Sequence, residues 1–83
     1  MPVYYVVYER SSGICTWRED AEDPDQFILG LLARRKDILK FTEMQLEVDE
    51  WPARPNQQVS VEKYNRWIRR HDRHLQRTLD HPR

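Results

Sequence analysis

Apolar positions along this chain change their period several times, and each change marks an element. From Val3 to Glu9 (VYYVVYE) β-branched and aromatic residues dominate with no helical stripe, which predicts a strand. Ser11-Ser12-Gly13 supplies a turn, and Ile14 to Arg18 (ICTWR) returns as a second strand, giving a hairpin over 3–18. With a two- or four-residue connection, Tyr4, Val6, Tyr8, Cys15 and Trp17 share one face, and Val3, Tyr5, Val7, Ile14 and Thr16 the other. A three-residue loop exchanges the faces of the second strand. In either case strand 1 is apolar on both sides, the pattern of a central strand.

Asp23-Pro24-Asp25 is a helix start, with an N-cap acid, proline at the first helical position and a second acid in the first turn. Phe27, Ile28, Leu31 and Leu32 then make one apolar face, and Arg34, Arg35 and Lys36 suit the negative end of the dipole, so a helix is expected over 24–36. Gly30 in its interior suggests a backbone packed closely on something. From 39 to 48 the period falls to two, with Thr42, Met44, Leu46 and Val48 alternating with polar residues, a half-buried strand. The competing reading continues the helix through Ile38, Phe41, Gln45 and Val48, a poorer fit. Pro52 and Pro55 make 49–59 a loop. Ser60 then caps a final helix over 60–80, with Val61, Tyr64, Ile68, Leu75 and Leu79 on one stripe. Lys63, Arg66, Arg69, Arg70, Arg73 and Arg77 fall on its other side.

The order β-β-α-β-α predicts a small α+β domain: a three-stranded, mainly antiparallel sheet in the order 2-1-3, with two helices packed on one face. Two helices cover one face of such a sheet. The second apolar face of strand 1 is therefore expected to await a partner.

Length and composition narrow the class. Eighty-three residues make a single domain over 1–83. Apolar residues are 39% and charged residues 34%, so the core depends on three Trp, four Tyr and two Phe. A core this thin is often completed by self-association, which puts a homodimer among the readings. Cys15 is the one cysteine, no signal-peptide pattern opens the chain and no apolar run spans a membrane, which together read as cytoplasmic with no membrane partner. The net charge of zero hides a segregation. Residues 1–60 hold 7 Lys and Arg against 11 Asp and Glu, a balance of −4, whereas 61–83 hold 7 against 3, a balance of +4.

Candidate chemistry concentrates on the last helix. Trp67 ringed by Arg66, Arg70 and Arg73 has the composition of an interface hot spot, with Arg77 extending the row and Trp51 and Tyr8 as further contacts. Trp51-Pro52-Ala53-Arg54-Pro55 is a proline-stiffened loop that loses little entropy on binding. The acids Glu19, Asp20, Glu22, Asp23 and Asp25 exceed what a helix N-terminus uses, and Glu19 and Asp20 are left to attract the final helix or a basic partner. His71 and His74 stand three apart, but no further ligands complete a metal set. Two glycines allow no phosphate-cradling loop, and no nucleophile–base pair is apparent, so neither an enzyme nor a cofactor is expected.

Three functions survive. The leading one is a non-enzymatic protein-binding module, an adaptor or inhibitor occupying a surface of a larger partner protein. Small inhibitors carried by bacterial viruses and mobile elements share this size and composition, an analogy that reaches no further. The second is a nucleic-acid-binding accessory that uses the same arginines on phosphates. The third is a structural homodimer subunit.

Overall fold

The computed structural model describes residues 1–47 and 55–70. Val48 at the end of the predicted third strand, 49–54 of the predicted loop with Trp51, and the predicted helix beyond residue 70, with Arg73, Arg77, His71, His74, Leu75 and Leu79, lie outside the described residues. The chain forms an α+β domain with the elements β1 (Val3–Arg10), β2 (Gly13–Asp20), α1 (Pro24–Arg34), β3 (Ile38–Glu47) and β4 (Gln57–Val59). A second helix, α2, is described over 62–70.

The sheet is antiparallel throughout, in the order β2-β1-β3-β4. The expected 2-1-3 core is present, with a fourth strand added at its edge. A strand of three residues is too short to carry a periodic signal, which is why 57–59 read as loop. Pairing with Met44–Leu46 supplies what periodicity could not, and it turns Val59 toward the core. Arg10 opposite Gly13 closes the hairpin with a two-residue turn, with Gly13 at φ +133°. This connection puts Tyr4, Val6, Tyr8, Cys15 and Trp17 on one face.

That face carries the core. Tyr4, Val6 and Tyr8 meet Ile38, Phe41 and Met44 of β3, Phe27, Ile28 and Leu31 of α1, and Tyr64 and Ile68 of α2. Both helices therefore lie on one side of the sheet. The inward residues of β3 recur every three positions, Ile38, Phe41 and Met44, rather than every two. Register shifts between Val7 and Tyr8 and between Glu9 and Arg10 each skip one residue of β3. These bulges turn Thr42 out to solvent and explain why the segment fitted both a strand and, badly, a helix.

The start of α1 matches its sequence. The Asp23 side chain accepts from the Gln26 N–H at 2.7 Å, Pro24 follows at the first helical position, and the Glu22 N–H donates back to the Gln26 side chain at 2.7 Å. Gly30 departs from expectation. A Cβ built there meets nothing within 4 Å, so no close packing requires the glycine.

On the opposite face Val3, Tyr5 and Val7 are half-buried and no described helix covers them. The stripe is one strand wide. Arg18 of β2 reaches across β1 to Glu47 of β3 with two bonds of 2.7 and 2.8 Å, screening the apolar side chains between them. This pairing holds the Glu47 carboxyl below its ordinary value.

Candidate functional site

The α2 surface is organised by two anchors that only the folded chain brings together. On one flank the Lys63 ammonium donates to both oxygens of Asp25 in α1, at 3.0 and 2.9 Å, and the Tyr64 hydroxyl donates to the same carboxylate at 2.7 Å. Hydrogen bonds from Lys63 first and Tyr64 second hold the Asp25 carboxyl below its usual value. Burial, followed by the bond to Asp25, raises the Tyr64 phenol. Lys63 also lies over the Trp67 ring at 5.4 Å, and Trp67 meets Tyr64 edge-on at 5.0 Å and 87°. The acid that draws α2 home is thus Asp25. Glu19 instead accepts from the Trp17 indole and pairs with Arg34, whose guanidinium lies over the Trp17 ring at 5.1 Å.

On the other flank Asn65 acts as a surrogate strand. Its Oδ1 accepts from the Phe41 N–H at 2.7 Å and its Nδ2 donates to the Phe41 carbonyl at 3.0 Å. β4 pairs with Met44 to Leu46 and stops, and the Asn65 amide serves the next outward-facing backbone groups of β3. Helical bonding starts where the Asn65 N–H donates to the Val61 carbonyl at 2.9 Å, one residue beyond a Ser60 cap.

With those flanks tied down, the outer side of α2 presents Glu62, Arg66, Arg69 and Arg70 to solvent. Of the predicted basic row, Lys63 is taken up by Asp25, whereas Arg66, Arg69 and Arg70 form no ion pair with a carboxylate of the described residues. Two grooves border this crest. One, between α1 and α2, is largely apolar and is lined by Leu29, Leu32, Ala33, Trp67 and Arg70. The other, beside β3, is lined by Leu39, Lys40, Glu62, Asn65, Arg66 and Arg69.

The predicted contact residues therefore separate. Arg66, Trp67 and Arg70 come together on α2, with Trp67 half-buried and both arginines exposed. Tyr8 does not join them: it is 2% exposed within the core and has no surface to offer. Its aromatic character signalled burial rather than contact, because Tyr8 stands on the inward face of β1. Sequence reasoning overlooked Leu29 and Leu39, which are 56% and 60% exposed. Leu29 had a readable signal, since it lies off the Phe27–Ile28–Leu31 stripe. Leu39 had none, because the bulge beside it decides its direction. Among the described residues no group of three or more His, Cys, Asp and Glu side chains is placed to hold a metal ion, and no helix is long and apolar enough to cross a membrane.

No protein-family model, curated protein or solved structure matches this chain.

Proposed function

We propose that this protein is a non-enzymatic binding module, an adaptor or inhibitor that seats the outer side of α2 on a larger protein partner. The observation carrying this reading is the groove of Leu29, Leu32, Ala33 and Trp67, rimmed by Arg70 and standing next to Arg66. An aromatic wall, aliphatic floor and arginine rim are the composition of an interface centre, where Trp and Arg supply much of the binding energy. The partner face that fits is apolar at its middle and acidic at its edge.

The test is affinity capture from the native lysate, with and without nuclease, using the wild-type chain and an R66E/R70E variant. Both arginines point to solvent, so the variant should keep the wild-type circular dichroism and melting profile. A protein partner held after nuclease treatment by wild type and lost by the variant is the expected result. Retention of the same partner by the folded variant removes α2 from the interface.

One observation favours a second reading. Lys40, Arg66 and Arg69 converge on the groove beside β3, with Glu62 as its acid. Three phosphate contacts there would make the logarithm of affinity fall with the logarithm of salt at a slope of about −3. A protein interface with charges at its rim depends on salt far less.

A further inference from the structure

The two edges of the sheet are finished differently. On the β3 side, the outward backbone groups of Met44 and Leu46 are taken by β4, and those of Phe41 by the Asn65 amide. On the other side β2 ends the sheet, and among the described residues nothing pairs with its outer edge. Its register with β1 runs through eight consecutive pairs without a bulge, and it contains neither proline nor lysine. Bulges, prolines, short length and charged side chains, lysine above all, are the usual devices that stop an edge strand from recruiting another. β2 has no bulge, proline or lysine and is eight residues long, and its charges, Arg18, Glu19 and Asp20, are confined to one end.

The phase of the ladder identifies its unpaired groups. The Ala21 N–H donates to the Pro2 carbonyl at 3.0 Å, one pair beyond Val3–Asp20, and Arg10–Gly13 closes the hairpin at the other end. Hydrogen-bonded pairs alternate with non-bonded ones. Cys15, Trp17 and Glu19 therefore bond to β1, while Ile14, Thr16, Arg18 and Asp20 direct their N–H and C=O groups outward. All four of these residues are exposed, and Ile14 is 72% exposed, the most open large aliphatic residue within the sheet.

We infer that β2 is a self-association edge, pairing antiparallel with β2 of a second copy to join two four-stranded sheets into one of eight. The register that β2 itself favours is centred on Thr16. Ile14 then faces the backbone position of Arg18 in the other copy, whose guanidinium stays with its own Glu47. Cys15 faces Trp17, Thr16 faces Thr16 and Glu19 faces Gly13. No two charges of like sign are opposed, and a threonine pair is a favourable cross-strand contact. The pairs 14–18, 16–16 and 18–14 exchange about six backbone hydrogen bonds. Moving the centre to Trp17 would put Ile14 against Asp20 and Cys15 against Glu19, which leaves an apolar group facing an acid twice. The surface is separate from α2, so the two proposals stand or fall independently.

The experiment is sedimentation equilibrium on the full chain across a concentration series reaching roughly 1 mM, the range in which weak association is measurable. Wild type should rise from the monomer mass of 10.2 kDa toward twice that value. T16K sets two ammonium groups opposite each other across the symmetry axis, and T16P removes an outward N–H without breaking the ladder to β1. Both should remain monomeric, and T16K should do so with an unchanged circular dichroism spectrum. In a C15S background, T16C should oxidise to a covalent dimer, since a bonded antiparallel pair holds its Cα atoms about 5.5 Å apart, within disulfide reach. A monomer at every concentration overturns the inference, and so does a folded T16K chain that associates as wild type does.

Discussion

Replacing Asn65 by alanine isolates the contact that fastens α2 to the sheet. The side chain makes two bonds to the backbone of Phe41, at 2.7 and 3.0 Å, and both are partly buried. Deleting it leaves an N–H and a C=O of β3 without a partner at a position where Phe41 itself is 0% exposed. Each bond contributes about 1 kcal/mol net, with more lost where water cannot replace the partner. Alanine returns about 0.5 kcal/mol as the better helix former. The balance is a loss of about 1–2 kcal/mol, which for a chain of this length lowers the melting temperature by roughly 5–10 °C. Urea unfolding followed by tryptophan fluorescence gives the first number, and hydrogen exchange at the Phe41 amide gives the local one. N65D sharpens the test. A carboxylate still accepts from the Phe41 N–H, but its second oxygen then faces the Phe41 carbonyl. Folding should favour the protonated side chain, which can donate, so its folded pKa is raised. The stability of N65D relative to wild type should therefore improve as pH falls from 7 toward 4. Wild-type stability in N65A with undiminished protection at Phe41 would refute the surrogate-strand argument.

Three other outcomes follow from the same geometry. G30A should stabilise the protein by about 0.5–1 kcal/mol, because helix propensity and unfolded-state entropy both favour alanine and open space receives the methyl group; a thermal melt measures it, and destabilisation would mean that the glycine is needed. The carboxyls of Asp25, Asp37 and Glu47 all lie below their ordinary values, held down mainly by hydrogen bonds from Lys63, Arg10 and Arg18 respectively. The unfolded chain binds more protons there, so stability is full above the ordinary carboxylate range and declines as pH falls through the folded values; D25N should flatten this acid limb in pH-dependent urea titrations. The raised Tyr64 phenol works in the opposite direction, with stability intact below pH of about 10 and declining as pH rises toward the folded value, an effect that Y64F should remove from the alkaline limb.

Local chemistry carried much of this architecture. Asp23-Pro24-Asp25 determined the start of α1, the apolar spacing of Phe27, Ile28 and Leu31 determined its buried face, and the two-sided apolar run of β1 determined its central place. These are signals of period and capping, which act between residues close in sequence. The amphipathic character of α2 was written in the same way, in Tyr64 and Ile68 against Arg66, Arg69 and Arg70. What belonged to tertiary structure is everything that depends on which distant groups meet. Two bulges re-phased β3 so that Phe41 turned inward and Leu39 outward, although neither residue announces a bulge. Asp25, useful to its own helix, became the partner of Lys63 and Tyr64 across 38 and 39 positions, which removed one cation from the basic side of α2. Tyr8 was drawn into the core because its neighbours across the sheet and both helices close over that side of β1. Periodicity reports how a residue relates to its own segment. Which polar groups are consumed within the molecule, and which stay open to another, is fixed only when the segments pack.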